Sequence, residues 1–200
     1  MSILSKSFVA ILTILSIESV TSTTMAKTEK QKYDVVYSEK EFEIRFYPSA
    51  ILATVYSDAS TYRELAYPGF RKLAGYIFGG NESEAKISMT SPVHMDMNTA
   101  SMSFVMPSSF TAENLPKPDD PGVKIERTDD AYVAAIRFGG YASDKDIRKY
   151  SERLKSLLEA KGIKWYGNFR YLGYNPPFQP FGRRNEIIVN VEWKEDVAKE

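Results

Sequence analysis

The sequence predicts an α+β domain in which one strand–strand–helix–strand–strand unit occurs twice. Three observations predict it. Sliding the chain by 81 residues lays Ile44 on Ile125, Ala50 on Ala131, Ala53 on Ala134 and Leu73 on Leu154 without a gap. The order of strand-like and helix-like stretches repeats with the same spacing. Each half alone holds one helix and about four strands, too few to bury a face, so the halves must pack as one β-rich body with two helices.

In the first half, Phe42 to Phe46 alternates apolar and polar, as a half-buried strand does, and Ala50 to Tyr56 reads as a second strand. Thr61 and Glu64 have capping-box spacing and open a helical segment. Pro68-Gly69 interrupts it, and a helix restarts with Pro68 in its first turn, where proline is tolerated. Phe70, Leu73, Ala74 and Ile77 then fall on one apolar helix face. Gly79-Gly80-Asn81 stops the helix, and strands are expected near Lys86 to Val93 and Met102 to Met106. The second half repeats this. Val123 to Arg127 and Ala131 to Phe138 are strands, and Ser143 with Asp146 caps a helix whose apolar face is Ile147, Tyr150, Leu154 and Leu157/Leu158. Gly162 ends it, and strands follow near Trp165 to Tyr174 and Glu186 to Trp193. The repeats run over 42–106 and 123–193, joined by a proline-rich segment, Pro107 to Gly122, that reads as a solvent-exposed linker.

Composition narrows the function classes. The chain is 43% hydrophobic and 26% charged, as globular proteins are. Lys+Arg and Asp+Glu number 26 each, so no net charge draws the protein to DNA, RNA or an anionic membrane. The absence of cysteine removes disulfides, a thiolate heme ligand, a cysteine nucleophile and a cysteine zinc site. The start of the chain is different in kind. Lys6 precedes the apolar run Phe8 to Ile17, and small and polar residues follow to Ala26. That is the layout of a secretory signal peptide, and the run is too short to span a bilayer. Cleavage after Ser22 or Ala26 fits. The expected organisation is therefore a signal peptide over 1–26, a short linker over 27–32, one domain over 33–193 and a tail over 194–200. It sends the mature protein to a periplasm, a secreted fluid or an organelle lumen. Asn81-Glu82-Ser83 is a glycosylation sequon.

Three segments are more specific than periodicity. They read FRKLAGYIFGGN from Phe70, KISMTSPV from Lys86 and YNPPFQPFGRRNEIIV from Tyr174, with FGGYA at Phe138 to Ala142. In combination they resemble the SOUL/heme-binding protein family, from about Tyr33 to Trp193. The resemblance implies a duplicated βαββ-type unit forming a distorted antiparallel barrel flanked by two helices, similar to gyrase-inhibitor-like effector-binding folds. It also implies non-covalent binding of heme or another tetrapyrrole in an apolar groove, by a carrier, buffer or scavenger without turnover. In the family that groove lies along the first helix and near the loop before the last strand.

Mapped onto this chain, the groove residues are Phe70, Arg71, Leu73 and Ile77 from the helix, and Tyr174, Phe178, Phe181 and Arg183 from the loop. Arg71 and Arg183 or Arg184 can meet ligand carboxylates; alternatively Arg71 is a solvated surface cation, and the cluster Arg183, Arg184, Asn185 and Glu186 is an internal salt-bridge and turn-fixing network. The phenylalanines can face a flat ligand or tuck into the core. His94, the only histidine, is the candidate iron ligand. Against that, Met89, Met95 and Met97 share the other strand parity, so if they face the core His94 faces away from it. Met89, Met95, Met97, Met102 and Met106 serve as core filling or as an adaptable pocket lining. A second reading is a small-molecule hydrolase or effector-binding module. There Glu186, with Tyr174 or Tyr171, would be a carboxyl group raised in pKa by an apolar pocket and used as general acid or base.

Overall fold

The computed structural model describes residues 28–194, so the signal peptide expected over 1–26 lies outside the described residues. The elements in order are β1 (Glu29–Lys30), β2 (Asp34–Ser38), β3 (Phe42–Tyr47), β4 (Ile51–Tyr56), α1 (Tyr62–Ile77), β5 (Thr90–Ser91), β6 (Val93–Asp96), β7 (Ser101–Val105), β8 (Val123–Arg127), β9 (Ala131–Phe138), α2 (Asp144–Ala160), β10 (Trp165–Gly173) and β11 (Asn185–Val191). Nine strands form one antiparallel sheet in the order β2-β3-β9-β11-β10-β6-β7-β4-β8, and β1 pairs in parallel with β5. The edges β2 and β8 do not pair with each other, so the sheet stays open where the resemblance implied a barrel.

The strand order is symmetric about its centre. With β2 set aside, β3, β4, β6 and β7 correspond to β8, β9, β10 and β11, and the sheet then reads the same from either end. Each half gives its first strand to the other: β3 pairs with β9, and β8 with β4. The third strands, β6 and β10, meet in the middle. Ile44 pairs with Ala134 and Ile125 with Ala53, so four of the residues that coincide on the 81-residue shift make one contact twice.

Both helices lie on one face of the sheet, α1 over β4 and β7 and α2 over β9 and β11. Their matching leucines, Leu73 and Leu154, are fully buried. The main core forms between helices and sheet, from residues such as Ile44, Val55, Leu65, Phe104, Ile187 and Val189. The caps are those the spacing predicts. Thr61 Oγ1 accepts from Glu64 N at 3.2 Å, and Ser143 Oγ accepts from Asp146 N at 3.3 Å.

α1 differs from expectation, because it runs unbroken through Pro68. Proline there removes the amide that would bond the Glu64 carbonyl. Glu64 and Pro68 are both exposed, so water can serve that carbonyl, while Leu65, Gly69 and Leu73 keep the buried face continuous. Gly69 contributes closeness: a Cβ there would sit 3.3 Å from Met102 Cβ on β7. At the other end Gly79 takes φ 116°, and the Asn81 side chain bonds Tyr76 O at 3.0 Å and Ala85 O at 2.8 Å. Asn81 is buried, so the sequon asparagine is a structural clasp rather than an accessible acceptor for sugar. The 107–122 segment is likewise more than a solvated linker. Leu115 and Pro116 are buried, and the Tyr76 hydroxyl donates to Pro116 O at 2.8 Å.

Leu73→Ala and Leu154→Ala, at equivalent fully buried positions, should each lower the free energy of unfolding in urea by about 2–5 kcal/mol. The exposed Phe78→Ala on the same helix as Leu73 should change it by less than about 0.5 kcal/mol.

Candidate functional site

The sheet separates the predicted residues into two groups. Strand alternation sends Ile187, Val189, Tyr171, Met95 and Met102 toward the helices, and Glu186, Ile188, Leu172, His94 and Ser103 to the opposite, inner face. Met95 and Met102 are core residues, and Met89 and Met97 pack against that core. His94 does point away from them, yet it is not exposed. A strap formed by residues 29–33 crosses the inner face, held by β1–β5 pairing, by Gln31 N donating to Ser91 O at 2.8 Å and by His94 Nε2 donating to Gln31 Oε1 at 2.8 Å. Burial, aided by the nearby Arg170 charge, pushes the His94 pKa down to about 3. His94 is thus a neutral, hydrogen-bonded imidazole on the face opposite the helices.

Glu186 is the centre of the inner face. It has no exposed surface. Arg45 grips it with two bonds, Nη1 to Oε2 at 2.7 Å and Nη2 to Oε1 at 3.0 Å. Arg184 adds Nε and Nη2 to Oε1 at 2.9 and 2.7 Å, and the Tyr174 hydroxyl donates to Oε2 at 2.8 Å. Tyr33 closes the cage: its ring lies 4.3 Å from the Arg45 guanidinium, and its hydroxyl accepts from Arg184 at 2.8 Å. Burial opposes ionisation of Glu186, but the bonds and charge of Arg45, then Arg184 and Tyr174, hold its carboxyl below the usual range. This reverses the expectation of a raised carboxyl pKa. Both oxygens are engaged by permanent donors, so Glu186 has no proton to give and no free lone pair with which to take one. Tyr174 is its hydrogen-bond partner, pushed up by burial and the Glu186 charge. Tyr171 lies on the other side of the sheet, bonded to Asn185 Oδ1 at 2.7 Å.

On the helix side, Leu73 and Ile77 turn into the core, so neither opens onto a groove. The exposed flank of α1 carries a second stripe: Arg63, Tyr67, Phe70, Ala74 and Phe78, spaced i, i+4, i+7, i+11 and i+15, with Arg71 beside it. Tyr67, Phe70 and Phe78 are among the large apolar side chains left exposed. Tyr67 and Phe78 were legible from that spacing but were masked by the stronger Leu73/Ile77 signal. The opposite flank faces the sheet edge, where Lys72 Nζ sits 3.5 Å from the place a Cβ on Gly122 would take. The stripe therefore borders the middle of the sheet. Phe70 meets Phe104 edge-on at 5.2 Å, Phe104 pairs with Val93, and Val93 with Gly173. Phe104, on which Phe70 packs, is thus two strand spacings, about 10 Å, from Gly173, where the 174–184 loop begins.

That loop is stiff at its base and bare at its tip. Arg183 bonds Pro176 O at 2.7 Å and Gln179 O at 2.9 Å and stacks 4.4 Å from the Tyr141 ring. Its guanidinium is thereby spent on the loop rather than offered to a ligand. Phe178 and Phe181 are 83% and 84% exposed, so they do not tuck into the core. Along α1 the side chains Tyr67, Phe70 and Phe78 face solvent. Two clefts lie elsewhere: one of about 490 Å³ beyond the ends of β4 and β7, and a polar one of about 430 Å³ beside the β2–β3 turn. Among the described residues no cluster of His, Cys, Asp and Glu could hold a metal ion, and no helix is long and apolar enough to cross a membrane.

An open antiparallel sheet with two helices on one face places the chain in the α+β class, with aromatic side chains left bare on α1 and on the 174–184 loop. The chain belongs to the SOUL heme-binding protein family, whose model matches residues 28–190. It is 30% identical over 166 residues to heme-binding protein 1 of Mus musculus, covering 78% of this chain and 84% of that one. It is also 30% identical over 156 residues to heme-binding protein 2 of Homo sapiens, covering 73% and 76%. In fold it is similar to the C-terminal domain of EcmrR, with a TM-score of 0.55 at 13% identity over 77% of this chain and 98% of that one. A hydrolase from Listeria innocua matches with a TM-score of 0.51 at 13% identity over 77% and 93%.

The two inner-face groups predict the acid response. The His94 pKa lies far below its ordinary 6.5, so the unfolded chain binds a proton that the folded protein refuses as pH falls from 6.5 toward 3. The Glu186 carboxyl lies below its ordinary 4.5, so its contribution is complete above that pH and is lost below it. Urea unfolding across pH should show stability falling from 6.5 downward, and His94→Gln should flatten the stretch between 6.5 and 4.5. Glu186→Gln should cost about 3–5 kcal/mol at pH 7 and reduce the loss below pH 4.5.

Proposed function

We propose that this chain binds heme or a related tetrapyrrole non-covalently on the exposed flank of α1, between Tyr67, Phe70, Ala74 and Phe78 and the tip of the 174–184 loop, and acts as a carrier or buffer without turnover. The observation that carries the reading is the aromatic stripe on α1, which packs through Phe70 on Phe104 of β7, two strands away from β10 and the loop that presents Phe178 and Phe181. A flat apolar ligand covers such a surface at low ordering cost, because the loop is already held by Arg183. Arg63 and Arg71 border the stripe and suit the two propionates. Family membership and relatives named heme-binding proteins support the same ligand class.

His94 has no part in this reading, because it is buried on the other face beneath the strap. A hydrolytic role draws no support from Glu186, which is caged. Export through residues 1–26 remains part of the proposal on the strength of the sequence, and the N-terminus of the mature protein tests it.

The test is a titration with hemin, and in parallel with metal-free protoporphyrin IX, followed by Soret absorbance. One ligand per chain is expected, with both ligands bound. Phe70→Ala and Phe78→Ala should each weaken binding about tenfold, or ~1.4 kcal/mol. His94→Ala should leave the Soret maximum of the complex unchanged. Failure of both ligands to bind a folded protein would sink the reading.

A further inference from the structure

We propose that the cleft beyond the ends of β4 and β7 is a second ligand site, built for a small amphipathic carboxylate such as a medium-chain fatty acid. It does not rest on the tetrapyrrole reading: Tyr67, Phe70, Phe78, Phe178 and Phe181 are not among its walls. Its volume of about 490 Å³ lies within the usual span of small-molecule pockets, about 300–1,000 Å³. The floor is apolar, from Ile51, Val105, Met106 and Phe110. The strap forms one wall and the 110–113 segment another, and Arg127 stands at the end of edge strand β8, paired in register with Ile51.

Charge decides the ligand class. Four ionisable side chains line the cleft: Glu29, Lys32, Glu113 and Arg127. Of the two acids, Glu29 is engaged. Glu29 Oε1 accepts from Ser108 N at 3.1 Å. The Glu113 carboxyl is held below its ordinary range by a hydrogen bond from Thr111 first, with the Arg127 charge a lesser contribution. The cations are the groups with capacity left. Among the described residues neither Lys32 nor Arg127 has a carboxylate within salt-bridge distance. Arg127 makes one long contact, 3.5 Å to Ser49 Oγ. An apolar floor with two underused cations above it suits a carboxylate head on an aliphatic tail, with the guanidinium fork matching the two oxygens.

Two-dimensional NMR of the full chain, titrated with decanoate and separately with decyltrimethylammonium, tests this. Decanoate should shift the amides of Ala50, Val105, Met106 and Thr111 to Glu113 saturably at one equivalent. Arg127→Ala should weaken that binding about tenfold, or ~1.4 kcal/mol. Ala112→Trp, at an exposed rim position where the ring fills the mouth without crowding the core, should abolish it, while Phe70→Ala leaves it unchanged. The proposal is overturned if decanoate shifts only residues 67–78 and 178–181, if the ammonium analogue binds the cleft equally well, or if neither binds. None of these outcomes bears on hemin binding, so the two sites stand or fall separately.

Discussion

A single buried carboxylate organises the inner face. Glu186, on β11 of the second half, is bonded to Arg45, on β3 of the first, and the two are 141 residues apart in sequence. Two charges taken out of water cost several kcal/mol each, and that cost is offset only because each remaining donor and lone pair has a partner. Arg45 Nε reaches Glu43 at 2.8 Å, Arg184 approaches from the loop, and Tyr33 stacks from the strap. The cage therefore fixes at once where β3 lies against β9 and β11, how the 174–184 loop returns to the sheet, and where the strap crosses.

This arrangement explains the division of labour between the faces. The helix side holds the continuous apolar core, while the inner face holds a polar network around a small apolar cluster of Ala135, Leu172 and Ile188. A polar interior is tolerable only when its groups are satisfied. Among the described residues Arg183 Nε is the one buried side-chain polar atom without a partner. The surfaces with unspent capacity, apolar on α1 and cationic at the β8 edge, lie outside that network.

Most of the fold was legible because its signals are local. Val123–Arg127 and Ala131–Phe138 appear as strands with the bounds their alternation suggests, and both helix caps match their spacing. The 81-residue shift exposed the repeat because Ile44/Ala134 and Ile125/Ala53 are one packing contact made twice. Pro68 misled, because proline breaks a helix by rule and is tolerated here by exposure, which periodicity alone does not price. The site was half legible. Phe70, Phe178 and Phe181 are at the surface as a ligand face requires, but Leu73 and Ile77 are core, because a helix with two apolar stripes gives no sign of which one meets the sheet. The Glu186 cage was legible in part: the internal salt bridge expected within Arg183 to Glu186 forms between Arg184 and Glu186, but Arg45 and Tyr33 are ordinary residues in sequence, and only the crossing of β3 into the other half brings them to the carboxylate.

The exchange of first strands has a consequence for how the chain can be assembled. β3 can pair at once with β2, but its other edge finds β9 only roughly ninety residues later, so that edge stays open until most of the protein has been made. Neither repeat is a folding unit by itself, since each lacks the strand that the other supplies. Cutting the polypeptide in the 107–122 segment would thus leave two pieces with complementary vacancies, expected to be unfolded apart and to recover the sheet only by associating. The two halves are thus inseparable parts of one sheet, closer to a domain-swapped dimer written on a single chain than to two modules joined by a linker.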